Sequence, residues 1–370
     1  MAPERRSAAG NGAAVMEVIS DVLDAGATRL LAAVSDGLGG SRAYLVGGFV
    51  RDGLLGRRTT DVDIAVPDGM ASARSLADRL GGHFVPLDAV NGVGRVIVEA
   101  AEFGEGRWQL DFSTAEGGIE QDLARRDFTM NAIAVDLEQL AAPGRRVDLI
   151  DPFDGRGDLA RGLVRAVSDG VFESDPIRLL RAVRFAAELG LGIDDATDKL
   201  IRAGAGLVVG VAGERIREEL LRLLAVAGSG RYLARLDELG LLTALIPELE
   251  AARGFEQPKE HQWDVLGHSL KTAEACDFLL RQGDWEYATG GVLDAVPWSP
   301  RLEEHFRRKI SGASPGGSSA SALLRLAAVL HDIAKPETRT VDADGRTRFL
   351  GHPSAGAAMA VAIVERLRFS

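Results

Sequence analysis

The chain has 370 residues, enough for two or more domains with substantial cores. Its formal net charge of −11 excludes a protein that coats nucleic acid through overall positive potential, so any such contact falls to local arginine clusters. One cysteine, Cys276, excludes an intrachain disulfide, no run of 18 apolar residues suggests a membrane span, and the polar Met1 to Met16 opening is no signal peptide; a soluble, cytoplasmic protein is expected.

In chain order, residues 1 to 38 read as a leader whose segment 17 to 38 is an amphipathic helix. From 42 to 140 the signals alternate: strands at Tyr44 to Val46 and Asp61 to Val66, a helix near Ala71 to Leu80, then strands at Gly94 to Ala100 and Trp108 to Phe112. From about Asp175 the pattern is helical through Leu224 and again from Tyr232 to Leu245, and a further helical region begins near His261. Trp285 to Ser321 reads as loop, and Ser311 to Ser319 has a low-complexity linker composition. The expected fold is α+β: a small mixed-sheet head (39–145), then an all-α neck (146–225), body helices (226–260) and a helical region (261–370).

The run Leu45-Val46-Gly47-Gly48-Phe49-Val50-Arg51-Asp52 joins a strand to a glycine turn, where backbone N–H groups can approach a bulky anion. Nine residues on, Asp61 and Asp63 alternate with Val62 and Ile64, so on a strand both carboxylates face one side. Hard oxygen ligands at that spacing suit Mg²⁺, which takes its remaining ligands from water and substrate phosphates. Together the two features point to nucleotidyl transfer; separately, each is an ordinary glycine turn or a solvated Asp-x-Asp. Asp111, in Gln109-Leu110-Asp111-Phe112, either brings a third carboxylate to the same edge or is a solvated strand residue.

Arg125-Arg126-Asp127-Phe128-Thr129-Met130-Asn131 crowds charge and amide groups around an apolar pair. Arginine would take phosphate, and Asp127 or Asn131 the sugar hydroxyls; a capped helix start with solvated arginines is the plainer alternative. Farther on, Ser174-Asp175-Pro176-Ile177-Arg178 leads into a helix on which Arg178, Arg181 and Arg184 recur every three residues. Asp175 suits an N-cap with Pro176 at the first helical position. Alternatively, an acceptor Asp175 and a donor Arg178 one turn apart read the amine and ring nitrogen that cytosine and adenine share.

In this order the motifs resemble those of class II tRNA nucleotidyltransferases, the CCA-adding enzyme and bacterial poly(A) polymerase group of the DNA polymerase β-like superfamily. The resemblance runs from about Tyr44 to Leu224 and includes Glu214-Arg215-Ile216-Arg217-Glu218-Glu219-Leu220 as a neck-helix signature. It implies a head in which Asp61 and Asp63 hold two Mg²⁺, with Asp111 beside them. Gly48 and Arg51 would touch the triphosphate, with Gly47 and Asp52 of the same run in the nucleotide site. Arg126 would touch the nucleotide, and Asp175, Arg178, Arg181 and Arg184 would form the base pocket. The implied substrates are CTP, ATP and the tRNA acceptor stem, and the product is a 3′ end extended by C, C and A. CC-only, A-only and poly(A) addition remain alternatives, as does a non-catalytic tRNA-binding protein, which would not need the acidic pair. Ser174 stands where the family template usually has Glu, which leaves product specificity open. So does the segment around Asp88 to Gly94, expected to be flexible, where such enzymes differ. The number of subunits is not legible.

The last third carries His261 and His268, seven apart, then His331-Asp332 and His352. This set resembles an HD-type metal-dependent phosphohydrolase domain, with His268, His331 and Asp332 as ligands of a divalent transition metal and His261 or His352 as accessories. HD sites also use a late Asp on a helix. Asp342 and Asp344 lie in a glycine-containing turn that reads as a hairpin, so an incomplete site is expected.

Overall fold

The structure is a computed structural model that describes residues 23–104, 106–141, 147–256, 262–288, 291–310 and 318–369. Its residues fall into two units, Met1–Val171 and Phe172–Ser370. The first unit runs α1 (Ala25–Gly37), β1 (Tyr44–Val46), α2 (Gly47–Leu54), β2 (Asp61–Val66), α3 (Gly69–Leu80), β3 (His83–Asp88), β4 (Val93–Val98), β5 (Trp108–Thr114), α4 (Ile119–Ala124), β6 (Ala134–Asp136), β7 (Leu149–Ile150) and α5 (Gly155–Arg161). The seven strands form one sheet, ordered β3-β4-β5-β2-β1-β6-β7. Only the β2–β5 pair in it is parallel.

Alternation explains the central strands. Val62 and Ile64, Val96 and Val98, and Leu110 and Phe112 are all buried, while the residues between them face the other side. Each such side chain contributes about 1.5–3 kcal/mol by leaving water. The expected strands and the helix near Ala71 are present, and α3 is capped by Asp68, whose carboxylate accepts from Ala71 N at 2.9 Å. Three expectations change. The first helix starts at Ala25 behind an Asp24 cap; residues 17–22 lie outside the described residues. The segment Asp88 to Gly94 carries strand ends as well as a turn: Asp88 closes β3, Val93 and Gly94 open β4, and in the turn between them the Asp88 carboxylate accepts from the Val90 and Asn91 amides. Finally, residues placed by sequence at the start of the neck belong with the sheet: β7 pairs with β6, and Asp158 of α5 accepts from the Thr129 hydroxyl at 2.8 Å.

The second unit is helical, as expected: α6 (Arg178–Leu189), α7 (Asp195–Gly204), α8 (Gly213–Ala225), α9 (Gly230–Glu238), α10 (Leu241–Leu245), α11 (Val265–Leu279), α12 (Pro300–Arg307), α13 (Ala320–Leu330) and α14 (His352–Arg366). The interval read as loop contains α12, which begins at Pro300 behind a Ser299 cap; residues 311–317 of the low-complexity stretch lie outside the described residues. Arg325 of α13, fully buried, donates to Asp277 of α11 at 2.5 Å and to the Leu224 carbonyl of α8 at 2.7 Å, tying three helices together. No helix among the described residues is long and apolar enough to cross a membrane.

Candidate functional site

At the end of β1 the chain turns into α2 through Gly47, whose φ of +65° is a left-handed conformation that favours glycine. A Cβ there would lie 2.8 Å from Asp63 Oδ2 and 2.9 Å from Arg126 NH1. The Gly48 amide donates to Asp63 Oδ2 at 3.2 Å. The turn, the acid and the arginine therefore meet at one point, the N-terminus of α2, whose N-cap Val46 supplies no side-chain cap and whose positive dipole end favours an anion.

Strand register completes the acid edge. Asp63 pairs with Asp111 and Asp61 with Gln109 across β2 and β5, so the three acids share a face. Burial raises the Asp63 carboxyl above the usual carboxylate range; the Asp111 and Asp61 charges add to this, while Arg126 and the Gly48 amide oppose it. Hard oxygen donors with mutually repelling charge fit a divalent cation of the Mg²⁺ type. Arg126 is aimed from below by Asp122, which accepts from its Nε and NH2 at 3.0 and 2.9 Å.

Other expected site residues lie one step back. Arg51 is 8 % exposed; it donates to both oxygens of Asp52 and, at 2.7 Å, to Asn131 Oδ1. Its NH2 lies 3.6 Å from where a Gly48 Cβ would sit, so it backs the glycine pair. Asp52 thus holds Arg51. Asp127 and Asn131, expected at sugar hydroxyls, are buried and bonded to each other at 2.9 Å. Sequence reading missed Arg95 and Gln109, although their alternation with Val96 and Leu110 put them on the acid face.

In the second unit, α6 starts at Arg178 after Ile177, and Asp175 is not its side-chain cap. Both Asp175 oxygens accept from Arg215 of α8 at 2.9 Å. Arg178 Nε is 4.0 Å from Asp175, and its NH1 donates to Ser174 Oγ at 3.2 Å. Arg181 pairs with Glu219 at 3.7 Å. The fourth member of the expected pocket departs from it: Arg184 is 4 % exposed and bonded to Glu219 and Glu188, an ion pair inside the α6–α8 interface.

The histidine set also assembles, except for His261, which lies outside the described residues. Asp332 is approached by His331 Nε2 at 3.0 Å, His268 Nε2 at 3.5 Å and His352 Nε2 at 3.6 Å. Nδ1 of His331 and of His352 is held by the Ala328 and Phe349 carbonyls. Lys335 Nζ sits 2.7 Å from Asp332. Burial alone would raise the Asp332 carboxyl, but His331 and Lys335 hold it well below the usual range, and the same contact raises His331. Asp342 lies in the hairpin expected there, bonded to Arg346 and Arg348.

Residues 43–165 match the family model of the poly A polymerase head domain, and residues 190–253 that of the probable RNA and SrmB binding site of polymerase A. An A-adding tRNA nucleotidyltransferase of Deinococcus radiodurans is 36 % identical over 332 residues, 88 % of this chain and 64 % of that protein. A CCA-adding enzyme of Geobacillus stearothermophilus is 34 % identical over 299 residues, 74 % of this chain and 71 % of that protein. A solved tRNA nucleotidyltransferase complexed with a primer tRNA and an incoming ATP analog superimposes with a TM-score of 0.53 at 28 % identity, covering 68 % of each chain. The chain spans less than two thirds of the length of several curated relatives, between 46 % and 64 %. With this order of motifs, this acid edge and these relatives, the chain belongs to the class II tRNA nucleotidyltransferase family.

Proposed function

We propose that the protein adds C and A to the 3′ end of tRNA, transferring nucleotidyl groups from CTP and ATP and releasing pyrophosphate. The observation that carries this reading is the meeting of the Gly47–Gly48 turn, Asp63 and Arg126 beside Asp61 and Asp111. A triphosphate there would be met by the α2 amides and the Arg126 guanidinium, which stabilise charge on the transferring group. Asp61 and Asp63 would hold Mg²⁺. Bound, the metal acidifies the primer hydroxyl and neutralises the leaving pyrophosphate. Asp175, oriented by Arg215, and Arg178 would read the base edge. The sole cysteine, buried, fits the reducing cytosol in which this activity would act.

The test is incubation with tRNA lacking its 3′ end, supplying CTP and ATP singly and together. A product three residues longer supports C, C and A addition; extension by A alone, by CC alone or into a ladder assigns the narrower or poly(A) activity. Asp61→Ala or Asp63→Ala should lower addition by about 10³-fold or more with tRNA binding kept. Activity within about tenfold of the parent would remove the metal assignment.

A second site is favoured by the convergence on Asp332. His268, His331 and Asp332 bring one ligand atom each within 4.8 Å of one another. Imidazole donors suit a divalent transition metal, and the carbonyl-held Nδ1 of His331 is the support that a ligating imidazole needs.

A further inference from the structure

Two polar residues on the acid face have no part in the chemistry above. Register sets Arg95 of β4 opposite Asp111 of β5, and Gln109 of β5 opposite Asp61 of β2. Their side chains form a continuous line of contacts. Arg95 Nε and NH2 donate to the two oxygens of Asp111 at 2.6 and 2.7 Å. Arg95 NH1 donates to Gln109 Oε1 at 2.9 Å, and Gln109 Nε2 donates to Asp61 Oδ1 at 2.8 Å.

We propose that Arg95 and Gln109 are positioning residues for Asp61, and that Asp111 is the anchor of this line rather than a ligand of the cation. The proposal rests on the reading that Asp61 and Asp63 hold the metal. The three acids differ in how they are engaged. Asp111 gives both oxygens to one guanidinium fork, the strong bidentate geometry, with the two side chains only 26 % and 32 % exposed. Asp61 gives one oxygen to Gln109 and Asp63 gives one to the Gly48 amide. The second oxygen of each accepts no hydrogen bond among the described residues. A cation approaching this edge meets two carboxylates with an open oxygen and a third that would first have to break a charged pair.

The line also accounts for how an exposed acid is held still. A hydrogen bond between Gln109 and Asp61 at the surface competes with water and on its own orders little. Here the same amide is gripped at its oxygen by Arg95, and Arg95 is gripped by Asp111. A ligand ordered through such supporting contacts loses roughly 10- to 100-fold in metal affinity or activity when the support is removed.

The experiment is equilibrium Mn²⁺ binding to the nucleotide-free full chain by electron paramagnetic resonance, with kcat and KM measured in parallel. Gln109→Leu should weaken Mn²⁺ binding and lower kcat by about tenfold each while leaving the KM for tRNA within about twofold. Arg95→Lys, which keeps the charge and loses the fork, should move both quantities in the same direction. Asp111→Asn, which keeps one of the two acceptors facing Arg95 and loses the fork, should weaken Mn²⁺ binding no more than Arg95→Lys does, by about tenfold. If Asp111→Asn loses Mn²⁺ as completely as Asp61→Asn, Asp111 is a ligand and the proposal fails. It fails equally if Gln109→Leu leaves Mn²⁺ affinity and kcat untouched. Were Asp61→Asn itself to keep both metal and activity, the nucleotidyl-transfer reading would fall instead, an outcome distinct from either of these.

Discussion

Gly47 tolerates substitution poorly, because two constraints coincide there. Its left-handed backbone disfavours every L side chain, and the space a methyl would need is held by Asp63 Oδ2 and Arg126 NH1. Gly47→Ala is therefore expected to cost about 1–3 kcal/mol in strain. It should also lower kcat by about 10²-fold as the acid and the arginine are pushed apart. Melting temperature and single-turnover rate measure the two effects; a variant with parental rate would show that the contact has no catalytic consequence. The glycine itself was legible in the sequence as part of a strand-to-anion turn, and so was the Asp61–Asp63 pair from its alternation. The partners Arg126 NH1 and Asp111 were legible only as candidates, since nothing local reveals which strands adjoin.

At the scale of elements, the α6–α8 pair shows why sequence reading succeeded in part. Recurrence every three residues identified a helix face bearing Arg178, Arg181 and Arg184, but whether that face meets solvent depends on Glu219, a helix away. Of the two readings of Asp175, the N-cap alternative fails for the same reason, since its carboxylate is taken by Arg215, 40 residues on. Strand β3 was missed because it is an edge strand, contains Pro86 and has no clean alternation. The acid and the buried arginine now separate experimentally. Asp175→Ala should lose about 1–3 kcal/mol of discrimination against UTP and GTP, whereas Arg184→Met, which leaves buried Glu219 only its longer pair with Arg181, should lose about 3 kcal/mol of stability with discrimination intact. Denaturant midpoints and misincorporation ratios decide it, and loss of discrimination in Arg184→Met would return that residue to the base pocket.

A second element-scale prediction concerns α5 and the Thr129 turn. Burial alone would raise the Asp158 carboxyl, but donation from Arg161, Thr129 and Arg165 holds it below its ordinary value. A depressed folded-state pKa contributes stability that is full above the unfolded value near 3.9 and is lost as pH falls through the folded one. Asp158→Asn should cost about 2–3 kcal/mol at neutral pH and show a shallower decline in acid than the parent. Equal acid limbs in urea titrations from pH 7 to pH 3 would exclude this carboxyl as the source.

For the whole molecule, the two units imply separable chemistry. His331→Ala removes a candidate ligand in the second unit, whereas the acids proposed to serve transfer lie in the first. Nucleotide addition should stay within about twofold in that variant. Hydrolysis of a 2′,3′-cyclic nucleotide with Ni²⁺ or Mn²⁺ should be weak in the parent. A metal held by three protein groups binds more weakly than one with the further carboxylate in place, and Lys335 already balances Asp332. Robust turnover that His331→Ala abolishes would show the site to be complete.

The parallel pairing of β2 with β5 carries a kinetic consequence. Asp61 and Gln109 are 48 residues apart in the chain, and a helix and a hairpin must be accommodated before their strands can meet. Closing so large a loop costs entropy that local contacts do not repay until the strands dock, so long-range parallel pairing is slow. The β3–β4 hairpin can form early, but the acid edge cannot. During refolding, the capacity to bind Mn²⁺ should therefore emerge in the slowest phase, after most secondary structure has returned. A newly made chain would then acquire its metal only when the sheet is already complete.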